Sequence, residues 1–415
     1  MIPADWEITT VSEICKLQNG HGFRPPDWSD RGYPIIRIQN LNGSPTFNYF
    51  EGTPDPKWLV PPGQILFAWA GTKGASFGPT IWNGPTGVLN QHIFKVFPVK
   101  GVDRDWLYIA LRHVTDRIEA KAHGFKATLV HVKKSDIDRH SVLLPPIREQ
   151  RCIASTLATW DRAIETVESL IANARAQKRA LMQQLLPQGT TPPKKRLPGF
   201  SGELRETTIE DVASVLVSNV DKKSVKGERP VRLCNYMDVY RSDQIVTEMD
   251  FMAATATEAQ IRKFGLMVGD VIITKDSETP DDIAISTIVR STSLDLVCGY
   301  HLAILRPKEA TDGQFLKFFF EHPGTRHFFA SRANGATRFG LTVGAIETAP
   351  INLPSHAEQK EIGNVILTAE IEIHRLNPIL SALRQEKAAL MQQLLTGKRR
   401  VKLPDNSTAE SEVAR

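Results

Sequence analysis

The sequence predicts an α+β protein: two similar α/β domains separated by two long antiparallel coiled-coil helices, related by a pseudo-two-fold internal repeat. Three observations predict it. The stretch from Leu144 to Leu186 returns 209 positions later without an insertion, so Ala180-Leu-Met-Gln-Gln-Leu-Leu186 becomes Ala389-Leu-Met-Gln-Gln-Leu-Leu395. Both copies place apolar residues at alternating spacings of four and three, the period of helices that supercoil. The segments that precede the two copies share short β-like strings in the same order.

In the first helix the expected seam is Ile153, Leu157, Trp160, Ile164, Val167, Ile171, Ala174, Leu181 and Leu185, with Lys178 as its polar interruption. In the second it is Ile362, Ile366, Ala369, Ile373, Leu376, Leu380, Leu383, Leu390 and Leu394, with Lys387 at the matching place. Pro146 suits a first helical turn. Ser355 and Glu358 form the pattern of a capping box, Gly397 suits a helix end, and Pro378 inside the second helix is expected to bend or weaken it. Each helix of about 38 residues would be about 55 Å long at 1.5 Å per residue. The first would carry the chain away from domain one and the second would return it antiparallel, giving a dumbbell. The two lysines are read as register marks for that pairing, and leucine at both is expected to raise stability while loosening register.

The chain in order reads as domain one over residues 1–145, a spacer helix over 146–187, a connector over 188–203, domain two over 204–354, a second spacer helix over 355–397, and a basic then polar tail over 398–415 expected to be disordered. Domain one shows β-like runs at Pro34–Gln39, Gln64–Ala70, His92–Phe97 and Ser141–Leu144, and a helical pattern at Asp105–Ala122. Domain two repeats the plan. Arg232-Leu-Cys-Asn235 matches Arg37-Ile-Gln-Asn40, Gly269-Asp-Val-Ile-Ile matches Gly63-Gln-Ile-Leu-Phe, and His301-Leu-Ala-Ile-Leu-Arg-Pro307 matches His92-Ile-Phe-Lys-Val-Phe-Pro98.

Length and composition fit two or more globular domains. No basic segment followed by an apolar run opens the chain, and no apolar stretch reaches membrane-spanning length, so a cytoplasmic protein without membrane contact is expected. Cys15, Cys152, Cys234 and Cys298 are scattered and read as reduced residues rather than a disulfide framework or zinc site. The net charge of +5 is uneven, with +3 over residues 1–145 and −4 over 206–355, so nucleic-acid binding would have to use local clusters.

Leu144-Pro-Pro-Ile-Arg-Glu-Gln-Arg151, Leu157-Ala-Thr-Trp-Asp161 and Leu181-Met-Gln-Gln-Leu-Leu186 together resemble the central conserved region of type I restriction–modification specificity subunits. Leu390-Met-Gln-Gln-Leu-Leu-Thr-Gly-Lys398 resembles the distal one. Gly32-Tyr-Pro-Ile-Ile-Arg-Ile-Gln-Asn-Leu-Asn42, Gly63-Gln-Ile-Leu-Phe-Ala-Trp-Ala-Gly71 and Leu89-Asn-Gln-His-Ile-Phe94 look like one common type of target recognition domain. The resemblance implies a non-catalytic DNA-reading subunit with two target recognition domains, each reading half of a split double-stranded target, and helices that set the unread gap. It implies two methyltransferase subunits as partners, which bind S-adenosylmethionine and methylate adenine, with endonuclease subunits as optional further partners. No cofactor is expected in this chain itself. One departure is that Trp160-Asp161 becomes Ala369-Glu370 in the second helix, so the two helices need not meet partners equally.

The chemistry searched for and not found agrees with that reading. Asp55-Pro-Lys-Trp58 and Asn377-Pro-Ile-Leu380 lack the form of an adenine methyltransferase loop. Gly71-Thr-Lys-Gly74 lacks the phosphate-loop spacing, no histidine spacing suggests a metal site, and Pro280-Asp281-Asp282 reads as a turn rather than a nuclease motif. DNA reading needs donors and acceptors at base edges and cations at phosphates. The candidates are His21, Phe23, Arg24, Arg37, Gln39, Asn40, Lys73, Ser76 and Lys126 in domain one. In domain two they are Asn219, Lys222, Lys223, Lys226, Asn235, Tyr236, Lys275, Ser277 and Arg338. His92 and His301 recur at matching positions and are read as structural. Lys133-Lys134 and Lys194-Lys195-Arg196 are exposed charge by default, with phosphate binding as the alternative. The competing functional classes are a coiled-coil scaffold joining two protein-binding modules, which the −4 segment favours, and a nuclease, which the motif search disfavours.

Overall fold

The computed structural model describes residues 2–121 and 129–403. The chain divides into two compact units, residues 1–166 with 380–415, and residues 167–379. The division runs through both long helices, so each unit joins one globular part to a segment of each helix.

In the first unit, four antiparallel strands stand in the order Cys15–Asn19, Ile93–Pro98, Ile65–Ala68 and Gly78–Ile81. The helix Arg104–Lys121 buries Trp106, Leu107, Ala110, Leu111 and Val114 in the same core as Ile65, Phe67 and Phe94. A second sheet places Tyr33–Ile36 parallel to Gly87–Leu89, so that Ile36 and Leu89 are partners at its edge. The second unit repeats this with a five-stranded sheet whose core strands are Ala213–Val217, Leu302–Pro307, Val271–Thr274 and Ser286–Val289. Its smaller sheet runs Arg229–Cys234 parallel to Leu296–Cys298, with Cys234 opposite Cys298. The helix Gly313–Glu321 contributes Phe315, Phe318, Phe319 and Phe320 to the core. Gly63 and Gly269 open the equivalent strands of the two units in the left-handed region, φ +85° and +91°, where a side chain would be strained.

The capping geometry corrects one sequence match. The Arg37 amide donates to Asn40 Oδ1, and the Asn235 amide donates to Asp238 Oδ2. Each is the residue after a paired strand end, so Arg37 stands where Asn235 stands and Asn40 where Asp238 stands. Matching Arg37-Ile-Gln-Asn40 to Arg232-Leu-Cys-Asn235 is three residues out of register. Gln39, expected to continue a strand, lies with Asn40 in the short helix Ile38–Leu41.

In both units a first and last strand pair leads into a long helix. Glu7–Thr10 pairs antiparallel with Ser141–Leu144, and Arg205–Thr208 with Pro350–Leu353. The long helices follow as Ile147–Leu185 and His356–Leu395, the second assigned as one helix through Pro378. The repeated Glu-Gln at their starts has a physical reason. Gln150 Oε1 accepts from the Asp103 amide at 2.7 Å while its Nε2 donates to Pro145 O at 2.8 Å. Gln359 does the same for Asp312 and Pro354, at 2.9 Å each. Glu149 and Glu358 are both buried, and each carboxylate meets an arginine from the segment that follows the other long helix. Arg196 Nε donates to Glu358 Oε1 at 2.6 Å, and Arg400 Nε to Glu149 Oε1 at 3.0 Å. Such two-pronged contacts are among the stronger charge-assisted pairs.

These pairs change three sequence expectations. The capping box at the second helix forms by half: Ser355 Oγ accepts from the Glu358 amide at 3.3 Å, but the Glu358 carboxylate turns to Arg196, since a buried carboxylate gains more from a guanidinium than from one amide. Arg196 is spent inside the fold, while Lys194 and Lys195 carry no such pair. The start of the tail, expected to be disordered, is held at Arg400, which also grips Asp5, with Nη1 2.9 Å from Asp5 Oδ1. The rest of the tail lies outside the described residues.

The helix seam alternates between buried and half-buried positions along its length. Ile153, Leu157 and Leu394 are buried in the core of the first unit, and Leu185, Ile362 and Ile366 in that of the second. Ile171, Ala174, Ala369 and Leu376 are buried too. Trp160, Ile164, Val167, Ile373, Leu380 and Leu383 are half-buried, as two helices alone cannot enclose a seam side chain, and so are Leu181 and Leu390. Next to Leu181, Met182 is the more deeply buried residue.

Candidate nucleic-acid interface

In the second unit the two parallel strands ending at Cys234 and Cys298 deliver their following residues to one edge. Asn235 caps the helix Tyr236–Arg241, its Oδ1 accepting from the Met237 amide at 3.3 Å. Spacing of four then stacks Tyr236 on Tyr240, ring centroids 5.7 Å apart and 18° from parallel. From the other strand come Tyr300 and His301, ring centroids 3.9 Å apart. His301 holds φ +70°, a strained conformation for a non-glycine residue. Its Nδ1 lies 2.9 Å from Asp276 Oδ2, and Lys275 Nζ lies 2.8 Å from Asp276 Oδ1. Burial alone would raise the Asp276 carboxyl; the Lys275 ammonium and the His301 ring outweigh it and hold it below its ordinary range.

Around these groups is an open cleft of about 410 Å³, lined also by Lys222, Ser277, Glu278, Asp282 and Arg338. Tyr236 and Ser277 hydroxyls are 3.1 Å apart, and Tyr240 donates to Asp282 at 3.2 Å. Aromatic faces, hydroxyls, carboxylates and cations meet there. These are the groups that stack on bases, read base edges and pair with phosphates.

Four domain-two candidates, Lys222, Tyr236, Ser277 and Arg338, line this cleft. Lys275 is paired to Asp276 behind it, and Asn235 is committed to its helix cap. Lys223 and Lys226 are exposed on the loop that follows Lys222, and Asn219 accepts from Gln260 at 3.2 Å. Sequence reading missed Tyr240, Tyr300, Asp276 and Asp282. The i, i+4 tyrosines were the available signal; the two aspartates come from the strand Asp276–Ser277 and the single 3-10 turn Pro280–Asp282, both too short to show a period.

The first unit places different side chains at the equivalent edge. His21 stacks on Trp58 at 4.1 Å and meets Phe23 edge-on at 4.9 Å. The Arg37 guanidinium lies 4.3 Å over the Trp28 ring, a cation–π contact. Trp69 sits between His92 and His131, at 5.1 and 4.9 Å. Arg24 and Gln39 are exposed. Three candidates are structural instead. Phe23 is buried with Ile35 and Val88. Asn40 is buried, its amide donating to Ser44 O and Thr46 O. Ser76 is buried, accepting from the Thr72 amide at 2.8 Å. Lys73 is exposed but donates to Glu119 O at 2.8 Å. Lys126 lies outside the described residues. His92 and His301 share a backbone position but not a role: His301 is tied to Asp276, whereas His92 is exposed beside Trp69.

Among the described residues, one group with metal-ligand chemistry comes together, Asp243, Glu370 and His374. Lys317 Nζ lies 2.7 Å from Glu370 and 4.0 Å from Asp243, so an ammonium already supplies the positive charge a cation would bring. No helix among the described residues is long and apolar enough to cross a membrane.

The geometry has relatives. Residues 3–174 match the type I restriction modification DNA specificity domain. The chain is 22% identical over 416 residues to the type I restriction enzyme MjaVIII specificity subunit of Methanocaldococcus jannaschii, covering 97% of this chain and 94% of that one. It is 26% identical over 168 residues to the EcoBI specificity subunit of Escherichia coli, covering 40% of this chain and 34% of that one. In fold it is similar to the crystal structure of the type I restriction–modification S subunit from M. genitalium, with TM-score 0.57 and 16% identity over 94% of this chain and 96% of that one. A chain from a structure describing complex assembly and conformational transition of the type I R-M system gives the same TM-score, 0.57, at 14% identity over 95% and 98%. Residues 3–174 thus match the type I restriction modification DNA specificity domain, and over nearly its whole length the chain is similar in sequence and in fold to specificity subunits of type I restriction–modification systems.

Proposed function

We propose that this chain is the DNA sequence-specificity subunit of a type I restriction–modification enzyme. It reads a bipartite duplex target with two target recognition domains, one in each unit, and makes no covalent change to DNA itself. The long helices set the number of base pairs left unread between the halves. Two methyltransferase subunits, which carry S-adenosylmethionine, are positioned over the half-sites, and endonuclease subunits join them when cleavage follows.

One observation supports this reading most: the same strand edge is built twice, with different aromatic, polar and charged side chains on each. His21, Trp58, Arg37 and Trp28 stand at one, and Tyr236, Tyr240, Tyr300 and Arg338 at the other. A scaffold fixed twice with its surface changed is what reading two unlike half-sites requires. The test is to map adenine methylation in a genome with and without this chain. A bipartite methylated sequence that vanishes with the chain is expected; an unchanged methylation map overturns the reading.

A further inference from the structure

Lys275, Asp276 and His301 form a device that the first unit lacks at the same backbone place. The Lys275 amide donates to His301 O at 2.9 Å, and the Trp69 amide to His92 O at 3.3 Å. Lys275 thus stands where Trp69 stands, and Asp276 where Ala70 stands. The strand partners agree: Ala70 faces His131, and Asp276 faces Gly340. A small residue opposite a large one in the first unit is a carboxylate opposite a glycine in the second. Only glycine leaves that room, because a Cβ at Gly340 would come 2.6 Å from Asp276 Oδ1.

This seat fixes His301 twice. Its carbonyl accepts from the Lys275 and Asp276 amides, at 2.9 and 3.4 Å. Its ring is held through Nδ1, 2.9 Å from Asp276 Oδ2, while Lys275 Nζ takes Oδ1 at 2.8 Å. Among the non-glycine residues described, only Ala284 shares a positive φ with His301. Such strain persists where the surrounding structure enforces it, and it gathers where a side chain has to be aimed. An ionised carboxylate can only accept, so the ring hydrogen sits on Nδ1 and the neutral ring keeps a lone pair on Nε2. The ring makes no further hydrogen bond among the described residues. It lines the cleft of about 410 Å³ beside Tyr300, the two ring centroids 3.9 Å apart.

We propose that His301 is a specificity-determining residue of the second unit and that Asp276 is its positioning residue. Nε2 accepts a hydrogen from the exocyclic amine of one base in the second half-site, N6 of adenine or N4 of cytosine, the two amines displayed in the major groove. Guanine and thymine present carbonyl oxygens there instead, and a lone pair facing a carbonyl is repelled. The inference rests on the functional reading above and adds the base chemistry that this cleft selects. The first unit has Ala70 and an exposed His92 in these places, so no carboxylate aligns an acceptor and its half-site carries no such requirement.

The test uses the full chain with its methyltransferase, and duplexes in which each base pair of the target is varied in turn. His301→Gly suits the left-handed backbone and removes the ring. It is expected to lower discrimination at one position of the second half-site by about tenfold and to leave the other positions unchanged. At that position, purine in place of adenine, or pyrimidin-2-one in place of cytosine, removes the amine alone. The unaltered chain should lose about tenfold in affinity on one of these analogues, which names the base, and His301→Gly should lose nothing further. Asp276→Asn separates positioning from folding. Its amide has one acceptor oxygen, which Lys275 takes, so an N–H faces Nδ1 and the ring hydrogen moves to Nε2. Preference at the same position should then turn to guanine or thymine. Discrimination that His301→Gly leaves intact, an analogue penalty equal in both proteins, or an unturned preference in Asp276→Asn overturns the inference. So does a loss of affinity on all duplexes alike, which is the mark of a merely structural role. If the unaltered complex selects a bipartite target and any of these appears, the inference alone fails. If it selects no target, the functional reading fails with it.

Discussion

Arg400 holds Glu149 from 251 residues away in sequence, with Nη2 2.6 Å from Oε2 of a carboxylate that is 1% exposed. Trp6 Nε1 donates to the same oxygen at 3.0 Å. Losing one partner of a buried pair costs more than the pair is worth, because the other charge stays buried. Arg400→Ala is therefore expected to lower the thermal unfolding midpoint, and Lys398→Ala, two residues earlier and without such a pair, to leave it unchanged. Calorimetry that shows equal midpoints for the two variants would remove Arg400 from the account of stability.

Lys178 and Lys387 looked alike in sequence and are not. Burial disfavours the Lys178 ammonium, but the Glu321 and Glu370 carboxylates beside it outweigh that and hold its pKa well above the ordinary lysine value. A raised lysine pKa contributes stability at every pH below the unfolded value of about 10.4, and that contribution is lost only as pH rises beyond it. Leucine at Lys178 leaves Glu321 and Glu370 to share Lys317, 2.7 Å from each, with one buried negative charge in excess, and is expected to cost about 3 kcal/mol. Leucine at Lys387 releases a half-exposed aspartate and is expected to change stability by at most about 1 kcal/mol. These pairs argue against a gain in stability from leucine at Lys178. Denaturant unfolding of the two single variants checks the contrast, and equal effects would contradict it.

His322 gives the second unit an acid-sensitive point. Burial, then the nearby Lys194 charge, lower its pKa, and its Nδ1 accepts from the Gly324 amide at 3.1 Å as a helix cap. A histidine kept neutral by folding binds its proton more readily when unfolded. Stability is thus full above the unfolded pKa of about 6.5 and falls as pH drops below it. Unfolding midpoints should fall between pH 7 and pH 5. His322→Asn keeps a cap acceptor without the titration, so its midpoint should fall less. Parallel pH profiles for the two proteins would rule this out.

Lys222 and Arg338 flank the cleft of the second unit without buried partners. If they meet phosphates, alanine at either weakens binding to all duplexes and reduces the slope of log affinity against log salt by about one. Tyr236→Phe should act differently, changing which base is preferred with little effect on the slope. Binding isotherms at several salt concentrations, with the methyltransferase present, separate the two behaviours.

Removing one heptad from each long helix keeps the seam in phase and shortens each by about 10 Å, or three base pairs at 3.4 Å per step. The methylated target should keep both half-sites and lose about three base pairs of unread gap. A gap of unchanged length would show that something other than these helices sets it.

The repeat was legible because helices copied at constant length keep their period, and the helix bounds found differ from those read by one or two residues. The strand Ser141–Leu144 was legible because it is a short, largely apolar run ended by Pro145-Pro146. The register of Arg37 was not, because the surrounding loops differ in length and the motif letters alone favour the wrong match; only the cap on Arg37 reveals it. Asn40 and Ser76 carry the right chemistry for base reading, yet the backbone of their own loops claims their hydrogen bonds first. Lys317 and Glu321 were invisible in sequence since a lysine amid phenylalanines reads as an error until Glu370 is seen beside it.

The joint in the second unit, where Lys317 and Glu321 meet Lys178 and Glu370, bears on how exchanged parts would fit. Lys317 and Glu321 belong to the globular part, while Lys178 and Glu370 belong to the helices. Tyr108 and Arg112 stand 209 residues before Lys317 and Glu321, so grafting the first globular part onto the second position would set Arg112 against Lys178 and leave Glu370 with one ammonium instead of two. A transplanted reader must therefore carry its own matching helix segments, or be retuned at two positions, before it is accepted. Compatibility of parts is written at the joint rather than in the loops proposed to touch DNA, and a library of exchangeable readers would sort by that joint.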